Sequence, residues 1–292
     1  MNNKLEQNNI IAAQLSNCSA IKILVTGANG MLGQDLCPML EDEGYEVIET
    51  DIHNFDITDG IQIKKFLAKE KPNFIIHCAA YTNVDKAEED IKTARLINTI
   101  GTTNLAKACA EFDITLVYIS TDYIFNGQST KPYLPTDKPD PLNNYGLTKY
   151  EGEEAIKKYC SKYFITRTSW LYGVHGKNFV ETMISLADKQ ELKVVNDQVG
   201  CPTWTVELAN GIIKLLKTNN YGIYHICGSG STSWYGFAKE IFKLMNLDVN
   251  LKPCTTEEFA RPAKRPAYSI LENNKICKNW KIALKSYLEL RN

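Results

Sequence analysis

The stretch that decides the fold is Thr26-Gly27-Ala28-Asn29-Gly30-Met31-Leu32-Gly33, which directly follows an apolar run at residues 21–25. Glycines at intervals of three let the chain turn sharply between a short strand and a helix. The start of that helix offers free N–H groups and the positive end of a dipole, which together bind a pyrophosphate. We therefore predict that Gly27, Gly30, Met31, Leu32 and Gly33 contact a dinucleotide; a glycine-rich turn without a ligand is the alternative.

A carboxylate supports the dinucleotide prediction. Asp51 follows the second strand-like run, about twenty residues beyond the glycine turn. A carboxylate there accepts hydrogen bonds from the ribose hydroxyls of adenosine and repels a 2′-phosphate, so we predict that NADH is preferred and NADPH is possible. Asp56 and Ile57 follow soon after and are expected at the adenine edge. A solvated aspartate at a strand end is the alternative for Asp51.

Strand-like and helical segments alternate through the first half of the chain. The strand-like runs are 21–26, 46–49, 74–79, 115–120 and 164–167, and the helical patterns are 31–43, 62–69, 93–111 and 145–158. Continuous apolar strands joined by crossover helices predict a parallel sheet that is covered on both faces. The fold class is therefore α/β, a Rossmann-type sheet whose ligands bind at the carboxyl ends of the strands.

From residue 171 onward strand-like and helical segments no longer alternate regularly. We predict that this part of the chain forms a smaller C-terminal α/β substrate lobe. Helices are expected at 179–189, 206–217, 234–245 and 282–290, strands at 193–196 and 222–226, and long loops at 131–142 and 260–267. We predict an N-terminal arm at 1–20 and a dinucleotide-binding domain at 21–172 to which about 204–227 return. The substrate lobe then comprises 173–203 and 228–292.

Composition excludes several classes of protein. The 292 residues carry a net charge of −1, which gives no electrostatic footprint for nucleic acid. No apolar run approaches the roughly 18 residues that span a membrane, and the polar first twenty residues do not read as a secretory signal. Nine cysteines without a Cys-x-x-Cys and four unclustered histidines predict reduced thiols, a cytoplasmic location and no metal site.

The chemistry is indicated by two further stretches, Ser120-Thr121-Asp122-Tyr123 and Tyr145-Gly146-Leu147-Thr148-Lys149. Tyr145 can protonate a carbonyl oxygen while hydride reaches the carbon. Lys149 lies one helical turn further on the same helix face, where its charge favours the phenolate. The pattern alone is weak evidence, because Tyr235 and Lys239 have the same spacing. Only the first pair follows a strand that ends in hydroxyl residues.

The chain resembles the extended short-chain dehydrogenases/reductases that act on nucleotide sugars and, among them, the dTDP-4-dehydrorhamnose reductase family. The resemblance covers residues 21 to 290. It is carried by the glycine turn and by the stretches Ala79-Ala80-Tyr81-Thr82-Asn83-Val84-Asp85-Lys86-Ala87-Glu88, Ser120 to Phe125, Arg167-Thr168-Ser169-Trp170-Leu171-Tyr172-Gly173, Asn178-Phe179, Asn196-Asp197-Gln198 and Arg265-Pro266. The chain departs from the pattern in its N-terminal arm, at Asn29, and at Cys201 and Trp204.

The resemblance implies a role for each matching position. Tyr145 is the expected general acid, Lys149 modifies its pKa and binds ribose, and Thr121 donates a hydrogen bond to the 4-keto oxygen. Further cofactor contacts are expected at Ala79, Ala80, Tyr81, Thr82, Asn98 and Ile119. The sugar nucleotide is expected against Thr121, Asp122, Tyr123, Trp170, Asn178 and Arg265.

The implied activity is reduction of the 4-keto group of a dTDP-linked 6-deoxy sugar, giving dTDP-L-rhamnose, by a monomer or homodimer. Sugar-nucleotide 4,6-dehydratases resemble the chain but carry an acid/base glutamate where Tyr123 stands, and a tyrosine with a pKa of about 10 does not replace it. A reductase of another 4-keto nucleotide sugar is one alternative. A second is a non-catalytic regulatory subunit similar to that of methionine adenosyltransferase.

Overall fold

The computed structural model describes residues 20–273 and 276–291. The predicted N-terminal arm therefore lies outside the described residues, except for Ala20. The strands are β1 (Lys22–Thr26), β2 (Glu46–Thr50), β3 (Phe74–His77), β4 (Thr115–Thr121), β5 (Tyr163–Thr168), β6 (Leu171–Tyr172), β7 (Leu192–Val195), β8 (Val199–Gly200), β9 (Thr203–Trp204), β10 (Gly222–His225), β11 (Thr232–Ser233) and β12 (Leu251–Cys254).

The helices alternate with the strands in the first half of the chain. They are α1 (Met31–Asp42), α2 (Gly60–Glu70), α3 (Val84–Glu89), α4 (Ile91–Arg95), α5 (Thr102–Phe112), α6 (Asn144–Tyr159), α7 (Phe179–Ser185), α8 (Thr205–Leu216), α9 (Trp234–Leu244) and α10 (Trp280–Arg291). A π-helical segment, Leu96–Gly101, joins α4 to α5, and a 3₁₀ turn, Asp122–Ile124, follows β4.

The central sheet has six parallel strands in the order β2-β1-β3-β4-β5-β10. Apolar side chains cover both of its faces. On one face α1 and α8 pack their leucines and isoleucines against β1 and β3. On the other face α2, α5 and α6 do the same. The Rossmann-type α/β fold is thus confirmed, and the continuous apolar strands are explained by burial on both sides.

The order of the strands fixes where a ligand can bind. The chain leaves β1 for β2 on one side and β3 for β4 on the other, so the connections that follow β1 and β3 run in opposite directions. A crevice opens at such a switch point in doubly wound sheets. The glycine turn follows β1 and the Ala79-Ala80 stretch follows β3, which places both beside this crevice.

The later part of the chain builds three small two-stranded sheets, β6/β9, β7/β12 and β8/β11. A third apolar cluster lies among them and includes Tyr172 and Trp204 together with side chains of α9 and α10. Strand β10 returns to the edge of the central sheet beside β5. The predicted dinucleotide-binding domain includes residues from about 204 to 227, and β10 falls in this range. The exact lobe boundaries stay a prediction.

Several details differ from the sequence prediction, among them the two-residue strands β6, β8, β9 and β11, which it did not include. The helix expected at 93–111 is interrupted by the π-helical segment, where Asn98 turns its side chain inward to bind the backbone of Tyr81. The strand β12 was not anticipated, because Pro253 interrupts its pattern; the strand survives because it pairs only with β7. The short helix α3 was also missed, since its six residues are too few to show a period.

Within residues 20–273 and 276–291, no helix has both the length and the apolar character needed to cross a bilayer. The same residues contain no group of three or more His, Cys, Asp or Glu side chains placed to hold a metal ion.

Candidate active site

One large cleft with a volume of about 720 Å³ opens at the carboxyl ends of β1, β3 and β4. Most of the predicted site residues line it: Gly27, Gly30, Met31, Leu32, Gly33, Asp51, Asp56, Ile57, Ala79, Ala80, Thr82, Ile119, Thr121, Asp122, Tyr123, Tyr145, Lys149 and Trp170. Residues that are far apart in the sequence are therefore brought together. Four predicted residues, Tyr81, Asn98, Asn178 and Arg265, lie outside its wall.

The glycine turn has the backbone that the sequence predicted. Gly27 has a φ of +66°, and a Cβ there would lie 2.8 Å from the backbone nitrogen of Ala79. A Cβ on Gly33 would lie 2.5 Å from the carbonyl oxygen of Ala28. Only glycine therefore lets the turn close against the end of β3 while α1 begins beneath it. The first residues of α1, Met31 to Gly33, line the cleft, so the start of the helix borders the space that a dinucleotide pyrophosphate would occupy.

The far end of the cleft has two carboxylates, Asp51 and Asp56, and apolar walls. Asp51 accepts hydrogen bonds from the backbone N–H groups of Ile52 at 2.7 Å and of Asn29 at 3.3 Å, which hold its carboxylate toward the glycine turn. Phe55 and Ile57 supply apolar walls beside it. The Asp56 carboxylate accepts hydrogen bonds from the N–H and hydroxyl of Thr58, both at 2.8 Å. This end suits an adenosine whose ribose hydroxyls meet Asp51.

Tyr145 and Lys149 lie in the opposite wall, on the first turns of α6. Asn143 caps this helix by accepting the N–H of Gly146 at 2.8 Å. Burial raises the pKa of the Tyr145 phenol to about 12, and the nearby hydroxyl of Thr121 acts in the opposite direction. The phenol therefore carries its proton at neutral pH, which is the state that a general acid needs.

Lys149 is 2% exposed, and its Nζ lies 4.0 Å from the centre of the Tyr118 ring. Burial lowers its pKa to about 7, and the negative charge of Glu153 acts in the opposite direction. Glu153 is itself buried in an ion pair with Arg167, at 2.7 Å between Nη2 and Oε2. A lysine placed in this way needs a negatively charged or strongly polar ligand to keep its full charge.

Thr121 ends β4, Asp122 begins the 3₁₀ turn that follows, and both line the cleft. The hydroxyl of Thr121 donates to Oδ1 of Asp122 at 3.1 Å and accepts the N–H of Tyr123 at 3.1 Å. Asp122 is 2% exposed, and burial raises its pKa to about 7. Its second oxygen, Oδ2, has no hydrogen-bond partner among the described residues. The wall that faces the reacting carbonyl thus offers a hydroxyl, a phenol and a carboxyl.

Tyr123 connects this wall to the late loop. Its ring meets the ring of Tyr145 edge-on, with 5.8 Å between the centroids. Burial raises the pKa of Tyr123 above its usual range, and the positive charge of nearby Arg265 acts in the opposite direction. Arg265 in turn forms two hydrogen bonds with Asp85, at 3.0 and 2.9 Å. Arg265 therefore stands behind Tyr123, with its charge paired.

The other predicted residues outside the wall have supporting positions. The Asn98 side chain accepts the N–H of Tyr81 at 2.8 Å and donates to the Tyr81 carbonyl and to Thr148, so it braces the strand end from behind. Asn178 caps α7 and donates to the carbonyl of Gly173 at 2.8 Å. Both amides hold backbone segments that border the cleft.

Several wall residues were missed by the sequence analysis: Thr168, Ser169, Lys177 and Trp234. Trp234 stacks on Trp170, with 3.5 Å between the ring centroids and 5° between the planes. Sixty-four positions separate them in the numbering, and no local pattern joins them. Glu153 carried a usable signal, since it lies four residues beyond Lys149 on the same helix face.

The parallel sheet, the glycine turn and the Tyr145–Lys149 pair beside one cleft define an extended short-chain dehydrogenase/reductase. Residues 21–290 match the family model described as RmlD substrate binding domain. The chain belongs to this family.

The relatives agree along the whole length. The chain is 43% identical over 277 residues to the spore coat polysaccharide biosynthesis protein SpsK of Bacillus subtilis (strain 168). The aligned region covers 92% of this chain and 98% of that protein. A crystal structure of a dTDP-4-dehydrorhamnose reductase from Clostridium acetobutylicum ATCC 824 is 49% identical, with a TM-score of 0.90 and coverage of 92% and 99%. The structure of the Bacillus anthracis str. Ames reductase in complex with NADP is 43% identical, with a TM-score of 0.91 and coverage of 93% and 100%.

Proposed function

We propose that this protein is an NAD(P)H-dependent dTDP-4-dehydrorhamnose reductase that makes dTDP-L-rhamnose for polysaccharide biosynthesis in the cytoplasm. The observation that carries the proposal is that Thr121, Tyr145 and Lys149 line the same cleft as the glycine turn. The names of the family's solved members support the dTDP-linked sugar. The chain is expected to act as a monomer or homodimer.

The wall residues divide the work on the carbonyl group. When bound, the reduced nicotinamide supplies the hydride to the carbonyl carbon. Tyr145 donates its proton to the carbonyl oxygen, and the Thr121 hydroxyl orients that oxygen. Lys149 binds the ribose and, once charged, stabilises the phenolate that Tyr145 becomes. Removal of solvent from the cleft strengthens each of these interactions.

Tyr123 supports reduction over elimination. A dehydratase needs a carboxylate base at that position, whereas Tyr123 keeps its proton because burial raises its pKa. Tyr123 therefore serves as a wall for the sugar. We expect dTDP-glucose to give no 4-keto product.

The cofactor preference is proposed from Asp51. A 2′-phosphate on the adenosine ribose would meet this carboxylate, and the cleft wall around it, formed by Ile52, Phe55 and Asp56, contains no cation in the described part of the chain. We therefore expect NADH to bind more tightly than NADPH. The NADP complex of the Bacillus anthracis reductase indicates that the family's cleft can also hold the phosphorylated cofactor.

The test is oxidation of NADH followed spectroscopically in the presence of the 4-keto-6-deoxy sugar nucleotide, with dTDP-L-rhamnose identified as the product. Steady turnover excludes the non-catalytic subunit. Co-purification of a partner protein, with no turnover, would contradict the proposal and favour that alternative. Faster turnover of a different 4-keto nucleotide sugar would retain the reductase and replace the substrate.

A further inference from the structure

Trp170 has an unusual backbone conformation for a residue of the cleft wall. Its φ is +47°, in the left-handed region that bulky side chains rarely adopt. The other three non-glycine residues with positive φ in the described part of the chain, Lys71, Asp113 and Asn246, follow the ends of α2, α5 and α9, where this conformation is common. Such strain persists only where the surrounding structure holds it, so the neighbours of Trp170 bear on what the cleft binds.

The ring of Trp170 is held by a second indole of the same wall. Trp234 overlaps it, with 3.5 Å between the ring centroids and 5° between the planes. Aromatic pairs prefer an offset or edge-on arrangement, so the surrounding structure imposes this overlap. A Cβ on Gly200 would lie 2.6 Å from Nε1 of Trp170, and the ring of Phe179 lies 4.6 Å from that of Trp234. The two indoles are therefore tightly packed by their neighbours.

A small sheet brings the two indoles together. Strand β8 pairs with β11, and Gly200 lies opposite Thr232. Trp234 directly follows β11, and its Nε1 donates a hydrogen bond to Oε1 of Gln198 at 3.2 Å. The segment 198–200 thus contacts both indoles, since Gln198 binds Trp234 and Gly200 lies against Trp170.

We propose that Trp234 is a positioning residue for the sugar nucleotide, which acts by holding the indole of Trp170 in the cleft wall. The inference rests on the proposed function, in which Trp170 lies against the sugar nucleotide. A wall that is already ordered binds its ligand without the entropic cost of fixing a mobile side chain. The contribution of Trp234 therefore falls on the affinity for the sugar nucleotide.

The kinetic test compares Trp234→Leu, which removes the stacked ring, with Trp234→Phe, which keeps an aromatic ring at this position. The KM for the sugar nucleotide should rise on the order of threefold to tenfold in Trp234→Leu, the factor expected from one aromatic pair. This rise should exceed any change in the KM for NADH, and Trp234→Phe should recover part of it. Trp204→Phe is the matched control and should keep the wild-type KM. Trp204 is buried away from the cleft wall, and its Nε1 has no hydrogen-bond partner among the described residues.

A spectroscopic test needs no variant to fold. Two stacked indoles couple their electronic transitions, and this coupling contributes to the circular dichroism spectrum of the protein. A titration of the wild type with dTDP-L-rhamnose should change this contribution, because the ligand contacts one ring of the pair. The contribution should be absent from Trp234→Leu and present in Trp204→Phe.

Three results would overturn the proposal. The first is a wild-type KM for the sugar nucleotide in folded Trp234→Leu, even with a lower melting temperature, because Trp234 would then serve packing alone. The second is a rise confined to the KM for NADH, which would assign the stack to the cofactor. The third is a coupled-indole contribution that saturating dTDP-L-rhamnose leaves unchanged. Absence of turnover by the wild type would overturn the proposed function, and the titration would still decide the role of the stack.

Discussion

Two helices of this protein, α6 and α9, begin with similar sequences but have different tertiary surroundings. Both α6 and α9 have a tyrosine at their second position, then a glycine, with a lysine four residues after the tyrosine. Both are capped by a polar side chain: Asn143 accepts the N–H of Gly146, and Ser233 accepts the N–H of Gly236. The local sequence thus fixes the helix start in both cases.

The difference between the two motifs is tertiary. Lys149 is 2% exposed and lies over the ring of Tyr118, whereas Lys239 is exposed. Tyr145 reaches Thr121 at the end of a central strand, whereas Tyr235 packs beside the third apolar cluster. A tyrosine and a lysine at this spacing therefore become a proton-transfer site only when a parallel sheet brings a hydroxyl and a cofactor cradle to the same helix face.

The largest expected effect tests this contrast directly. Tyr145→Phe removes the proton donor and should lower kcat at least the roughly 10²–10⁴-fold typical of general acid catalysis. Cofactor affinity should be nearly retained, because the phenol is not a main nucleotide contact. Tyr235→Phe is the matched control and should keep wild-type turnover. Steady-state kinetics with an NADH fluorescence titration measures both, and near wild-type kcat in Tyr145→Phe would break the comparison.

The sequence predicted the central sheet and the catalytic side of the cleft because their signals are local. The glycine turn, the strand end at Thr121 and the spacing of Tyr145 from Lys149 each lie within a few consecutive residues. Trp234 and Lys177 were missed because their place depends on how later segments fold back over the cleft. Arg265 was expected against the sugar nucleotide, and no local pattern indicated that Asp85, distant in the sequence, pairs with its charge.

The second prediction concerns the buried lysine. In the unfolded chain Lys149 has the ordinary pKa of 10.5, and burial lowers it to about 7 in the folded protein. Between these values the unfolded state binds more protons, so the wild type gains stability as the pH rises. The cost of burying this ammonium is therefore largest below pH 7 and fades toward pH 10.5.

Lys149→Met should abolish this cost and the catalytic rate together. Its free energy of unfolding should exceed that of the wild type by more than about 1 kcal/mol at pH 6, and the excess should shrink as the pH rises. Cofactor affinity should fall, since the ribose loses its ligand. Denaturant titrations at several pH values measure the stability, with Lys239→Met as the exposed control. A pH-independent difference would show that Lys149 is charged in the folded protein.

The third prediction concerns the other end of the cleft, where Asp51 lies. The motif of Tyr145 and Lys149 lines this cleft, whereas that of Tyr235 and Lys239 does not. Asp51→Ala removes the carboxylate that faces the ribose hydroxyls, so the preference for NADH over NADPH should shrink or reverse. Competitive titration of both reduced cofactors on wild type and variant measures this. Tighter binding of NADPH than NADH to the wild type would contradict the assignment of Asp51.

The smallest expected effect concerns Tyr123 and Arg265, which lie next to the general acid Tyr145. Tyr145 has Tyr123 against its ring, and Arg265 lies close enough to Tyr123 to lower the pKa of its phenol. Arg265→Ala should let Tyr123 move and raise the KM for the sugar nucleotide, while the affinity for NADH stays unchanged. Arg261→Ala is the matched control, because Arg261 also contacts Asp85, at 3.2 Å, but is half exposed.

Initial rates over a matrix of both substrates separate the two parameters. If Arg265→Ala weakens NADH and spares the sugar nucleotide, the late loop belongs to the cofactor side. If Arg261→Ala has the same effect as Arg265→Ala, the loss arises from Asp85 and the loop as a whole, and the contact with Tyr123 is not what matters. An effect confined to Arg265→Ala would show that the site of Tyr145 and Lys149 depends on a residue beside its neighbour Tyr123. The spacing of tyrosine and lysine in the sequence does not indicate such a requirement.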